Sequence, residues 1–321
     1  MYSIIKKLNT VTALATGERA VTDIISAMME PYCDKTERDP LGNLICLKEG
    51  KGENKKKIMF SAHCDECGFV ATYIDGDGSI RVDLCGTPDL TSAIYGEVVF
   101  ENGVHGILLP DGGTSDLSAR NIHVDIGAKN AKEAERRVRP GDFCAPAHKL
   151  TKLGGSKICG FPLDGRAACA TIIKAASEIK DNADDIYFVF TSQETVGFRG
   201  AKAAVFNVMP DIAVNIDVAA GAKLGCGAAI RLKDGHTVYT RDVTAALTSA
   251  AEGAGVKVQY DVNDEEDTEA AFLQSTAAGA AVGGIAIPCT RLYTAAETVD
   301  LKDMECAVKL ISAFAAKGGK A

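Results

Sequence analysis

Lys57-Ile58-Met59-Phe60-Ser61-Ala62-His63-Cys64-Asp65 runs apolar for most of its length and then stops on an imidazole and a carboxylate. A short apolar run without polar alternation reads as a strand buried on both faces, the kind found inside a parallel sheet. Two later stretches repeat the design. Ile186–Thr191 is followed by Glu194, and Ile212–Ile216 ends at Asp217. Between them, Asp164–Lys180 and Gly200–Phe206 carry helical periodicity. Beyond them the pattern predicts a helix near Asp242–Glu252, a strand Val256–Tyr260, a helix Thr268–Ala278, a strand Ile285–Ile287 and a final helix Lys302–Ala316. Strands alternating with helices imply a mostly parallel sheet covered on both faces. In such sheets ligands bind in the crevice beyond the strands' carboxyl ends, which is where these polar residues fall.

Outward from this frame, two amphipathic helices are predicted at Ser3–Leu14 and Glu18–Met29. A strand pair, Thr36–Asp39 and Ile45–Lys48, turns through Pro40-Leu41-Gly42-Asn43. From about Gly68 to Cys159 the character changes to short alternating runs, among them Phe69–Ile74, Ile80–Asp83, Glu97–Glu101 and Val104–Leu109. Asp-Gly and Asn-Gly punctuation separates them, and one short helix is read at Ala131–Arg137. That pattern is a small all-β unit.

The chain has 321 residues, enough for one large domain or two. A net charge of −8 lacks the basic footprint that a nucleic acid or an anionic membrane requires. No apolar stretch approaches the ~18 residues of a membrane span, and no signal peptide is evident. Eleven scattered cysteines, an odd number, suit a reducing cytoplasm better than a disulfide framework. Tryptophan is absent, which argues against a sugar- or base-stacking platform.

An Asp at a strand end is ordinarily a turn or helix cap, and a His there is ordinarily a core group. His63, Asp65, Asp164, Glu194 and Asp217 at one sheet edge are together the donor set of a catalytic zinc-type centre. Cys64-Asp65-Glu66-Cys67 has the spacing of a redox pair or a zinc site. Gly225 and Gly227 do not complete a dinucleotide fingerprint. The acidic run Asp264–Asp267 reads as a solvated helix entrance.

The strings Ala62-His63-Cys64-Asp65-Glu66, Leu163-Asp164-Gly165-Arg166, Ser192-Gln193-Glu194-Thr195-Val196-Gly197, Ile216-Asp217 and Ile287-Pro288-Cys289-Thr290-Arg291 resemble the glutamyl and deblocking aminopeptidases that assemble as tetrahedral shells. So do Glu297-Thr298-Val299-Asp300 and Ile122–Ala128 with Pro140-Gly141-Asp142, so the likeness runs in order through nearly the whole chain. It implies an α/β fold: a zinc-peptidase-like three-layer αβα catalytic domain, residues 1–66 plus 161–321, with a β-barrel-like insert at 67–160. It implies a metal-dependent aminopeptidase acting on short peptides, in which zinc or cobalt activates water. Residue by residue, His63, Asp164 and Asp217 match the ligands of one metal, with Asp164 the bridge to a second. Asp65 matches the carboxylate that orients His63, and Glu194 the general base. It further implies a homo-oligomer, up to a dodecamer.

At Cys64 and Cys67 the resemblance places apolar residues, which implies two small buried thiols rather than a redox or zinc pair. The chain departs from the family at three places. Thr195 stands where a second acidic ligand is expected. Arg291-Leu292-Tyr293-Thr294-Ala295-Ala296-Glu297 holds no histidine and is one residue shorter. Gly165 stands where the family has Asp or Asn. One tightly bound divalent ion per chain, rather than two, is therefore expected. Two rival readings follow from the same departures: a non-catalytic peptide-binding scaffold, and a single-metal deacylase or amidase.

Overall fold

Ile58, Phe60 and Ala62 alternate with Met59 and Ser61 along the strand Lys57–His63, and all five are buried. Both faces of this strand therefore need cover. In the computed structural model of the protein, which describes residues 1–115 and 117–319, it lies between Asp185–Thr191 and Ile212–Ala219, parallel to both. Ala281–Thr290 continues the parallel set beside Ile212–Ala219. The hairpin of Lys35–Arg38 and Leu44–Lys48 closes one end. At the other end Thr298–Asp300, Lys157–Phe161 and Lys149–Lys152 follow in antiparallel steps. Ala228–Lys233 branches from Ala281–Thr290 and carries Val258–Val262.

The two faces are covered by different helices. Ile58, Phe60, Phe188, Phe190 and Ile216 pack under Tyr2–Leu8, Arg19–Met29, Arg166–Glu178, Arg241–Gly253 and Leu301–Ala316. Met59, Val189, Ala213 and Val282 face Arg199–Val208 and Ala270–Ser275. This is the expected three-layer αβα arrangement. Phe60 stacks on Phe188 at 6.1 Å and meets Phe314 edge-on at 6.2 Å. Each such pair adds about 0.5–1.5 kcal/mol beyond the area it buries.

Gly68–Ile74, Ile80–Cys85, Ile122–Asp125, His105–Pro110, Glu97–Phe100 and Phe143–Pro146 close into a six-stranded barrel around Phe69, Val82, Phe100, Leu108 and Val124. Closure removes the exposed edges that six short strands would otherwise present. Residues 149–160, grouped with the β-rich segment on sequence grounds, belong to two strands that pair into the open sheet instead.

Three expectations need correction. The first helix stops at Leu8, short of Leu14. The β-branched run Thr10-Val11-Thr12 is a poor helix continuation, and Ala13 N–H is taken by the Glu66 carboxylate at 2.6 Å. The helix read at Thr268–Ala278 covers only Ala270–Ser275, because Thr268 and Glu269 turn their side chains to buried partners. Asp217 does not end its strand, which continues to Ala219 because Ala281–Thr290 supplies partners that far. No helix among the described residues is long and apolar enough to cross a membrane.

Candidate metal centre and cleft

Three neighbouring parallel strands deliver the polar groups to one edge. His63 is the last residue of its strand, Asp217 lies near the end of Ile212–Ala219, and Glu194 follows Asp185–Thr191 by a short turn. Asp164 arrives from elsewhere, in the loop between strand Lys157–Phe161 and helix Arg166–Glu178. His63 Nε2 is 3.1 Å from Asp164 Oδ1 and 3.8 Å from Asp217 Oδ1. Donor atoms of these three residues all lie within 4.8 Å of one another, and no other group of His, Cys, Asp or Glu among the described residues converges so.

The other ring nitrogen faces away from that cluster. His63 Nδ1 stands 3.6 Å from Asp65 Oδ1 and 3.8 Å from Glu194 Oε2, and makes no hydrogen bond. Asp65 is fully buried and accepts the Glu194 N–H at 3.1 Å, the Thr195 N–H at 3.0 Å and the Thr195 hydroxyl at 2.8 Å. One carboxylate therefore both faces the imidazole and pins the turn that carries Glu194.

The electrostatics follow from four carboxylates around one imidazole. Burial works to lower the His63 pKa, but Glu194, Asp164 and Asp65 outweigh it and hold it well above the ordinary value. Burial pushes Glu194 well up; His63 opposes this, while Asp65, Asp217 and Asp164 add to it. Asp217 is raised to about 6, by burial first and by Asp164. Asp65 goes the other way: burial would raise it, but His63 and Thr195 hold it below the usual carboxylate range.

Several groups that support this edge escape a reading of strand ends alone. Glu297 is fully buried and accepts the backbone N–H of Leu163 at 2.6 Å, Asp164 at 3.0 Å and Tyr293 at 2.9 Å. Burial and the nearby Asp164 lift its pKa to about 8. It holds the Asp164 loop and the Tyr293 loop together. Glu66 fastens the chain after Asp65, taking Ala13 N–H and Arg166 Nη2, with His148 Nε2 at 2.6 Å. Gly165 sits at φ +67°, and a Cβ there would lie 2.6–2.8 Å from the His63 carbonyl and ring. Glycine alone fits without moving His63.

The centre opens into a cleft of about 360 Å³. Thr195 and Tyr293 line it together with His63, Asp164, Glu194 and Asp217. Arg231, buried within a strand, also lines it and reaches Val218 O at 2.5 Å and Glu266 at 2.9 Å. A charged residue inside the apolar run Ala228-Ala229-Ile230-Arg231-Leu232 was the legible sign of this wall. Asp264–Asp267 is no helix entrance: the helix starts at Ala270, and Glu265, Glu266 and Asp267 line the cleft. Cys64 and Cys67 are buried free thiols, and all eleven cysteines are free. Thr294, beside Tyr293 in the segment that holds no histidine, bonds Arg291 O at 2.7 Å and is not among the cleft residues.

A family model described as M42 glutamyl aminopeptidase matches residues 42–310. A candidate aminopeptidase of Acetivibrio thermocellus is 33% identical over 324 residues, spanning 97% of this chain and 97% of its own. Among solved structures, an aminopeptidase of the archaeon Desulfurococcus kamchatkensis superposes with a TM-score of 0.95 at 29% identity, covering 98% of this chain and 94% of that one. The TET1 peptidase of Pyrococcus horikoshii, described as assembling into a tetrahedron or a large octahedral shell, gives 0.86 at 30% identity, with 98% of each chain covered.

Proposed function

The chain belongs to the M42 glutamyl aminopeptidase family, and on that footing we propose that it releases N-terminal residues from short peptides at a centre that holds one divalent ion tightly. The convergence of His63, Asp164 and Asp217 carries the reading. Nitrogen and carboxylate donors suit zinc or cobalt, and three protein ligands leave a position open. The fit extends outward, since His63 turns one nitrogen to the cluster and the other to Asp65, the usual disposition of a metal-ligating imidazole and its orienting carboxylate. A divalent ion held there supplies a Lewis acid for the peptide carbonyl and lowers the pKa of water.

The remaining work falls to the protein. Glu194, lifted by burial and by its neighbours' charge, is a stronger proton acceptor than a free glutamate. It takes the attacking water's proton and returns it to the departing amine. Asp65 keeps the ring and the Glu194 turn in register. A second tight ion lacks ligands. The Thr195 hydroxyl is bonded to Asp65, and both Glu297 oxygens are occupied by backbone N–H groups.

The test is Glu194→Gln, with release of N-terminal residues from short peptides followed alongside metal content by elemental analysis. Turnover is expected to fall ~10²–10⁴-fold with metal retained. Unchanged turnover refutes the role of Glu194. The engaged Thr195 hydroxyl also favours a second reading, a peptide-binding scaffold, and absence of hydrolysis with zinc, cobalt and manganese alike selects it. A single-metal deacylase or amidase would use the same three ligands and is separated by its acylated substrates. The TET relative's assembly supports a homo-oligomer here, up to a dodecamer, and light scattering of the intact protein at only 33.6 kDa would refute it. Free cysteines throughout support a reducing, cytoplasmic setting.

A further inference from the structure

Tyr293 occupies the loop where a metal-ligating histidine is missing, and its geometry is over-determined. Its φ is +64°, a left-handed conformation that a bulky residue adopts only under constraint. Two hydrogen bonds impose it: the Tyr293 N–H donates to Glu297 Oε1 at 2.9 Å, and the Tyr293 carbonyl accepts the Asp89 N–H at 3.1 Å. Asp89 belongs to the barrel segment and Glu297 to the sheet side, so the residue is held from both. Strain maintained from two directions is characteristic of positions that serve a site.

The side chain lines the cleft beside His63, Asp164 and Glu194. Its hydroxyl makes no hydrogen bond with any described residue. A phenol is protonated at neutral pH, so it is an O–H donor there. Tyr293 is 39% exposed, so in the open cleft this donor is free to turn to the oxygen of a bound ligand.

We infer that the Tyr293 hydroxyl donates a hydrogen bond to the peptide carbonyl oxygen as that oxygen becomes an anion, replacing the charge stabilisation that a second metal would contribute. This rests on the hydrolytic reading given above. As water's oxygen bonds to the carbonyl carbon, its proton passes to Glu194 and the carbonyl π pair moves onto oxygen, where the phenol O–H receives it. Return of that pair breaks the C–N bond, and the amine leaves with the proton from Glu194. The phenol keeps its proton throughout.

Tyr293→Phe removes the donor and nothing else the fold uses. Zinc-loaded protein is titrated calorimetrically with the phosphonic-acid analogues of leucine and lysine, whose tetrahedral oxygens mimic the anion, and with leucine and lysine themselves. The variant is expected to bind the phosphonates about 10²-fold more weakly, with amino-acid binding and zinc content unchanged. Peptide turnover is expected to fall in kcat by a similar factor at constant KM. Phosphonate binding that is equal, or equally absent, with and without the hydroxyl overturns the inference. Loss of zinc from Tyr293→Phe overturns it too, because the phenol would then be a ligand. Phosphonate binding that depends on the hydroxyl in a protein that hydrolyses no peptide upholds the donor and refutes the hydrolytic reading instead.

Discussion

Asp65→Asn is the sharpest perturbation this site allows. Asp65 is fully buried and acceptor-only, taking two backbone N–H groups and one hydroxyl. Asparagine has the same shape but one carbonyl oxygen. If that oxygen stays with the Glu194 N–H, the new amide faces the Thr195 N–H, donor against donor. Turned over, it faces the Glu194 N–H and the His63 ring. The Thr195 hydroxyl can rotate to accept, but in either orientation one buried N–H loses its partner, costing about 1–3 kcal/mol. The surviving bonds also lose charge assistance, so urea unfolding at pH 7 should show a total loss of roughly 2–4 kcal/mol. Because Asp65 also orients His63, metal affinity should fall ~10–100-fold. Thr195→Val removes one of the same bonds, so the double variant should lose less than the sum of the two singles. Stability within about 0.5 kcal/mol of the parent, or additive losses in the double variant, would refute the account of Asp65 as the group that ties imidazole to turn.

Two further outcomes are expected. Glu18 and Glu269 are buried carboxyls lifted by burial from 4.5 to about 7; the folded state then holds more protons than the unfolded chain between those pH values, so stability should fall as pH rises from 4.5 through 7. Each contributes on the order of 3 kcal/mol to that fall, and Glu269→Gln should flatten the unfolding-versus-pH curve. Thr195→Glu combined with Tyr293→His introduces the carboxylate and imidazole that the proposed single-ion centre lacks, and elemental analysis should rise from one metal per chain towards two.

Much of the frame was legible because fully apolar runs have few options. Lys57–His63, Asp185–Thr191 and Ile212–Ala219 needed burial on two faces, and a helix-covered parallel sheet is the arrangement that provides it. His63 and Glu194 were visible for the same reason, since polar residues stand out where such runs stop. Asp217 was found although its strand runs on past it. The groups that were not legible act through backbone hydrogen bonds made across long sequence separations. Glu297 takes N–H groups 133 and 134 residues away, and no local pattern announces that. Thr298–Asp300 was missed as a strand because three residues carry no periodicity, and the shortened first helix because burial of Leu14 against Phe161 suited either conformation.

The barrel meets the rest of the fold at several places, the packing of Cys85 and Ala145 against Leu14 and Phe161 among them. Cys64–Cys67 joins His63 directly to the barrel's first strand, with Cys64 N–H bonded to Thr191 O and Glu66 N–H to Ala13 O. The returning chain enters the sheet at once through Lys149–Lys152. Asp89 N–H reaches the Tyr293 carbonyl at 3.1 Å. Two of these links run through the neighbours of His63 and through Tyr293 itself, so a shift of the barrel over the cleft would carry both residues with it. On the hydrolytic reading, the mouth then acts as an aperture that sorts peptides by fit, and turnover is expected to be insensitive to solvent viscosity.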